Sequence, residues 1–205
     1  MKGHAFALAA LLVGACRSAG SEYYTLIAPP AEHPAPVSEA FQLDVLPVDV
    51  PPEVDRAEIV VREGPGKLTP VDTRTWISPL PRELRHAFSD DLGRALGARD
   101  VAGASPVANI PTYRIKIVVQ RFDSSLGARA SIEAISTIRD AGGAAPPVVC
   151  SHRASEPAAA GYEKLAEAHQ RAIAAIAGQI AATIRGLQAG KTGCAGEGDA
   201  RLTGT

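Results

Sequence analysis

The sequence lacks the patterns by which several common activities are recognised. The formal net charge is −1 over 205 residues, so there is no basic field to attract nucleic acid and no polybasic patch to attract anionic lipid. No phosphate-binding Walker loop occurs, which argues against an ATPase. No cysteine or histidine lies at the spacing of a metal site. We therefore expect no nucleic acid partner, no metal and no cofactor.

Long apolar runs are also scarce. The stretch from Ala5 to Val13 is shorter than the roughly 20 residues that a bilayer-spanning helix needs. It follows the charged Lys2 and leads into small residues that end on Cys16. This order resembles a bacterial lipobox and predicts a signal peptide over 1–15 and a lipidated Cys16. The alternatives are an ordinary signal peptide cut elsewhere and a short buried apolar segment.

The residue after Cys16 is Arg17. Bacterial lipoproteins that stay on the inner membrane usually carry an acidic residue at this position. Arg17 therefore favours the outer membrane, with the folded part facing the periplasm and anchored through lipid rather than threaded through the bilayer.

Two further cysteines, Cys150 and Cys194, remain when Cys16 is set aside. A disulfide between them is plausible in an oxidising compartment, and it would tie the chain after the last helix to a strand. Two unpaired thiols are the alternative.

The pattern of the mature chain predicts strands first. Residues 16–38 hold the lipidated cysteine, a short strand over 22–27 and a proline-rich linker. Alternating apolar positions and turn signals predict strands over 41–45, 57–62 and 67–75. Three further strands, near 113–120, 132–138 and from 148, are joined by short turns and form an antiparallel meander.

Two helices complete the predicted fold. Apolar residues recur every four positions over 79–97, with prolines suited to the first turn and Gly97 suited to the C-terminal cap. A second stripe with spacings of three and four predicts a long helix over 157–188. We expect an α/β domain over 39–189, a mostly antiparallel sheet packed by these two helices, and a disordered glycine-rich tail over 190–205.

Several motifs in this order resemble the ABC-type transport auxiliary lipoprotein component family, of the paraquat-inducible protein C type. They are the lipobox, Tyr23-Tyr24-Thr25-Leu26, Pro51-Pro52 with Asp55-Arg56 and Ile59-Val60, Trp76-Ile77-Ser78-Pro79-Leu80, and the strand Tyr113–Ile117 with its end at Arg121-Phe122-Asp123. No single motif is specific; the ordered set carries the resemblance.

The resemblance implies a tethered docking component rather than an enzyme. Members accompany mammalian-cell-entry (MCE) type transport systems that move lipids across the envelope. This chain would then bind MCE-domain proteins at the outer membrane, and a collar of several copies would suit that task. A structural or assembly lipoprotein of another envelope complex is the alternative.

Individual residues leave further alternatives open. Trp76 is either a docking anchor or, as we favour, a packed residue at a helix entry. Asp55 and Arg56 either contact a partner or fix a loop. Tyr23 and Tyr24 lie either at the membrane interface or, as the resemblance favours, in an edge strand.

A periplasmic hydrolase is the third function considered. Ser151 and His152 invite a nucleophile interpretation, but adjacent strand residues point to opposite faces and no Gly-x-Ser-x-Gly motif surrounds the serine. We expect no catalytic residues. His169, on the apolar stripe of the last helix, is predicted to lie at the edge of the core rather than to bind a ligand.

Overall fold

The computed structural model describes residues 20–30, 40–104, 107–143 and 145–195. Two helices and eight strands follow in the order β1 Glu22–Tyr24, β2 Gln42–Val45, β3 Glu58–Gly64, β4 Lys67–Trp76, α1 Leu80–Leu96, β5 Arg99–Asp100, β6 Thr112–Ser125, β7 Arg129–Asp140, β8 Val148–Pro157 and α2 Tyr162–Gln188. The predicted α/β fold with a long C-terminal helix is confirmed. The signal peptide, Cys16, most of the proline-rich linker and residues 196–205 lie outside the described residues.

The strands form two sheets, where the sequence suggested one. The larger sheet has the order β5-β2-β6-β7-β8 and the smaller one β1-β4-β3. The predicted meander is confirmed, because β6, β7 and β8 pair antiparallel as neighbours in the chain. In contrast, β1 joins β4, and β2 joins β5 and β6, in parallel. Parallel pairs need long connections, which leave no local turn signal in the sequence.

Helix α1 agrees with its prediction to within one residue at each end. Pro79 is the N-cap residue and a further proline lies in the first turn, while Gly97 closes the helix with φ 62°. This left-handed conformation suits glycine because a Cβ atom is strained there. The apolar side of the helix is buried against the core through Leu80, Leu84, Ala87, Phe88 and Leu92.

Helix α2 begins five residues later than predicted. The prediction started it at Pro157, but β8 continues through that residue, which pairs with Arg129. Gly161, at φ 106°, then directs the chain into the helix. The predicted stripe is buried as expected at Leu165, Ile173, Ile176, Ile180 and Ile184. With 27 residues, the helix is about 40 Å long.

Candidate functional site

The short strand that follows the predicted anchor is built into the domain. β1 pairs in parallel with the end of β4, with Tyr24 opposite Trp76. The ladder continues past the strand, since the backbone N–H of Ile77 donates to the carbonyl oxygen of Tyr24 at 2.8 Å. β1 is an edge strand, which is the interpretation that the sequence favoured for its two tyrosines.

A buried carboxylate holds the residues just after β1. Glu83, in the first turn of α1, is 2% exposed. Its Oε2 atom accepts hydrogen bonds from the Thr25 hydroxyl at 2.8 Å and from the Leu26 N–H at 2.9 Å. Its Oε1 atom accepts one from the Ser78 hydroxyl at 2.7 Å. The three donors compensate the burial of the carboxylate and join the N-terminal segment to the start of α1.

Helix α2 supports the same segment from the other side. The Gln170 side chain donates to the carbonyl oxygen of Thr25 at 3.1 Å. The rings of Tyr24 and Tyr162 lie 6.2 Å apart. Burial and a hydrogen bond to Glu22 raise the pKa of Tyr24 to about 12, so its hydroxyl stays protonated at neutral pH. We call this set of contacts, centred on Glu83, the tether clamp.

Trp76 lies inside the core beside the tether clamp. It is 4% exposed, and its ring meets Phe122 and His169 edge to face at 6.1 Å and 6.2 Å. A β-bulge between Val119 and Arg121 turns Phe122 into the core. The indole is thus buried among core side chains, as in the packing alternative.

His169 is fully buried rather than at the edge of the core. It stacks on Phe122 at 4.0 Å, and its Nε2 atom lies 2.8 Å from the Ser124 hydroxyl. Burial lowers the pKa of His169 to about 3, so the ring is neutral at physiological pH. Its Nδ1 atom has no hydrogen-bond partner among the described residues.

Asp55 and Arg56 lie on an exposed turn before β3. Both residues are exposed, and the Arg56 guanidinium pairs with Glu58 at 3.0 Å. The backbone connects this turn to Trp76, whose N–H donates to the carbonyl oxygen of Ala57 at 2.9 Å. The structure therefore brings the two motifs together through the backbone, while their side chains face solvent and core respectively.

Ser151 and His152 point to opposite faces of β8, as strand alternation predicts. Ser151 is exposed, whereas His152 is buried. The His152 ring lies 2.8 Å from the hydroxyl of the fully buried Ser136 and 3.0 Å from the Gln179 amide oxygen. Burial lowers the pKa of His152. Ser136, the serine that contacts His152, has no access to solvent, and the other ring nitrogen contacts the Gln179 amide instead of a carboxylate. These residues therefore do not form a hydrolytic triad.

The far end of the domain carries the two cysteines and a groove. Cys150 and Cys194 form a disulfide with Cα atoms 5.7 Å apart, which ties residues 190–195 to the start of β8. The predicted disordered tail begins with these placed residues; the rest of it lies outside the described part. A groove of about 500 Å³ runs beside the disulfide, lined by Tyr113, Pro146, Pro147, Val149, Leu187 and Lys191.

Among the described residues, no group of three or more histidine, cysteine or acidic side chains is placed to hold a metal ion. None of the helices in the described ranges is both long enough and apolar enough to cross a membrane.

The arrangement is that of a small two-helix, two-sheet domain seen in other solved structures. The crystal structure of an uncharacterized protein has a TM-score of 0.64 at 18% identity, covering 80% of this chain and 99% of that one. A protein from Xanthomonas campestris has a TM-score of 0.63 at 19% identity, and the match covers 84% of this chain and 100% of that one. These similarities concern the fold. No curated protein matches the chain.

The chain belongs to the ABC-type transport auxiliary lipoprotein component family, whose model matches residues 24–181. This confirms the resemblance drawn from the motifs. The family comprises auxiliary components of transport systems and is not an enzyme family. The match begins at Tyr24, the last residue of β1, and includes Thr25, Leu26 and Glu83 of the tether clamp.

The prediction from sequence missed Glu83. A signal was present, because this charged residue lies between Leu80 and Leu84 on the apolar stripe of α1. A charge in such a position is rarely buried without partners. Its partners Thr25 and Leu26 are 58 and 57 residues away in the chain, so only the fold reveals them.

Proposed function

We propose that this protein is a lipid-anchored, periplasm-facing subunit of an MCE-type lipid transport system at the outer membrane. In this role Cys16 carries the lipid, and the folded domain binds the MCE-domain protein that spans the periplasm. The family membership carries the proposal. The tether clamp supports it, because a domain that must present one surface to a partner needs a fixed exit for its membrane tether.

The placement of the two ends of the domain supports a division of labour. β1 meets α2 near its first residue, since Tyr24 contacts Tyr162. The groove lies at the last turn of the same helix, where Leu187 lines it. The two places are separated by nearly the whole helix, about 40 Å. The clamped end therefore faces the membrane, and we assign partner docking to the groove end.

The groove has the character of a protein-docking surface. Val149 is 59% exposed on its wall, next to prolines that carry no backbone N–H to satisfy. Asp140 and Lys191 supply one charge of each sign in its lining. The groove suits apolar side chains on a segment of the MCE-domain partner, with the two charges setting its orientation.

Affinity capture from detergent-solubilised envelope tests the proposal. The lipidated wild-type protein is expected to recover an MCE-domain protein, identified by mass spectrometry. Val149→Asp should abolish the recovery, whereas Ser155→Asp, an exposed position on the same strand away from the groove, should not. Cys16→Ser should lose the membrane fraction. Recovery of a different envelope complex would instead favour an assembly lipoprotein.

Self-association is a further part of the proposal. A collar of several copies would surround a conduit more completely than one domain does. Mass photometry of the lipidated protein in detergent, at several concentrations, measures the copy number directly; a strict monomer would remove this part and leave docking by a single copy.

A further inference from the structure

We propose that the domain touches the bilayer with its own side chains, in addition to the lipid on Cys16. The contact consists of Tyr23, Ile77 and Leu126, which we call the membrane patch. The inference rests on the proposed lipidation, because the anchor is what brings these side chains to the bilayer.

Among the described residues, the exposed large apolar side chains lie at the two ends of the domain. They are Tyr23 at 63%, Ile77 at 60%, Val107 at 59%, Leu126 at 41% and Val149 at 59% exposure. Val149 lines the groove at the far end, and Val107 is held there by Gln42 at the start of β2. The other three lie at the clamped end.

Tyr23 and Ile77 share one face of the smaller sheet. Tyr24 and Trp76 are paired and packed toward the core. Because successive side chains of a strand alternate between faces, the residues on either side of this pair point outward. The hydrogen bond from the Ile77 N–H to the Tyr24 carbonyl oxygen keeps β1 and the end of β4 in register at this point.

Leu126 reaches the same end of the domain from the larger sheet. It lies in the turn between β6 and β7. This turn lies beside the chain that leads into α2, since the Ala158 N–H donates to the Ala128 carbonyl at 3.0 Å. The first turn of α2 is also where Tyr24 packs. Two separate elements thus present apolar side chains at the end where the tether leaves.

The length of the tether places the patch at the bilayer. Five residues separate Cys16 from Glu22, so a fully extended tether spans about 20 Å between these two residues. The far end lies about 40 Å further along α2, so the short tether keeps the clamped end, and not the far end, next to the anchor. Tyrosine side chains settle at the membrane–water interface, where the ring is buried and the hydroxyl stays hydrated.

Two carboxylates that flank the patch on the smaller sheet are paired with cations. Glu22 pairs with Arg74 at 3.1 Å, and Arg56 pairs with Glu58 at 3.0 Å. Each of these pairs places a guanidinium beside a carboxylate, which reduces the repulsion of Glu22 and Glu58 by anionic headgroups.

Depth-dependent quenching tests the patch. Single cysteines replace Tyr23, Ile77, Leu126 or Val107 in the lipidated protein, and each is labelled with an environment-sensitive fluorophore. The proteins are reconstituted in vesicles of phosphatidylethanolamine and phosphatidylglycerol that carry nitroxide-labelled lipid. All four positions are exposed on the surface, so unfolding of the variants is not expected, and thermal melts confirm this.

Labels at Tyr23, Ile77 and Leu126 should be quenched at least twofold more than the label at Val107. Equal quenching at all four positions, in protein that floats with the vesicles, would overturn the membrane patch while leaving the anchor in place. Protein that does not float at all would overturn the lipid anchor itself, and the patch with it.

Discussion

Removal of the Glu83 carboxylate should release the N-terminal segment from the domain. In the native structure this side chain accepts three hydrogen bonds, from the Thr25 hydroxyl, the Leu26 N–H and the Ser78 hydroxyl. Glu83→Ala leaves all three donors without their acceptor and opens a cavity beside Leu26, which is 1% exposed. Glu83→Gln keeps one carbonyl oxygen for the first two donors, and its amide group can donate to the Ser78 hydroxyl.

The two substitutions therefore differ in magnitude. Hydrogen bonds to a charged group contribute about 1.5–3 kcal/mol each, and a buried N–H without an acceptor costs about 1–3 kcal/mol. The two hydroxyl groups can regain water once the segment loosens, so we expect Glu83→Ala to cost about 4 kcal/mol in all. Glu83→Gln loses only the charge assistance and should cost about 1–2 kcal/mol.

Amide hydrogen exchange followed at single residues separates local release from global unfolding. In Glu83→Ala the amides of Leu26 and Ile77 should lose protection, because both take part in holding the segment. Amides in the meander of β6 and β7 should still exchange only through global unfolding, so their protection should follow the free energy of unfolding of the variant. Glu163→Ala is the matched control, since it also removes a glutamate from the first turn of a helix, but an exposed one.

A protected Leu26 amide in Glu83→Ala, together with a free energy of unfolding within about 0.5 kcal/mol of wild type, would show that the carboxylate does not hold the N-terminal segment. It would mean that strand pairing and burial of Leu26 hold the segment without the carboxylate.

Three further predictions concern the core and the disulfide. Cys194→Ser opens a loop of sequence separation 44 and should cost about 4 kcal/mol in urea unfolding; unchanged stability, or a wild type insensitive to reductant, would contradict this. Burial lowers the pKa of His169 from 6.5 to about 3, so the unfolded chain binds the proton more readily and stability falls as pH decreases from 6.5 toward 3. His169→Phe should reduce that slope by up to about 1.4 kcal/mol per pH unit between pH 6.5 and 5, and parallel curves would argue against a neutral buried ring. Trp76→Ala should cost about 3–5 kcal/mol because the indole is buried, whereas Arg56→Ala should leave the urea midpoint unchanged because its ion pair is exposed; the reverse order would contradict the packing role of Trp76.

Local patterns predicted the elements that are stabilised by neighbours in the chain. The meander followed from alternating strands and a turn after Asp140, and α1 followed from its stripe, its prolines and Gly97. The predicted start of α2 was wrong because Glu156 and Pro157 extend β8. These two residues pair with Ala130 and Arg129 of β7, and a pairing between two strands is not visible in the sequence of one segment.

The site depended on contacts between distant segments, which local patterns do not encode. The parallel pairing of β1 with β4 brings together residues more than fifty positions apart. Glu83 was visible in the sequence as a charge on an apolar stripe. Its role as a hydrogen-bond acceptor could be recognised only from the fold, which places the Leu26 N–H beside it. The groove, likewise, exists because the chain after α2 returns to the start of β8.

In the proposed arrangement, one end of the domain faces the membrane and the opposite end faces a protein partner. Site-specific photo-crosslinking in intact cells tests it directly, with the crosslinker placed at Val149 or at Tyr23, which are 59% and 63% exposed. We expect an adduct with an MCE-domain protein from Val149 and no adduct with that protein from Tyr23. An MCE-domain adduct from Tyr23 alone would contradict it.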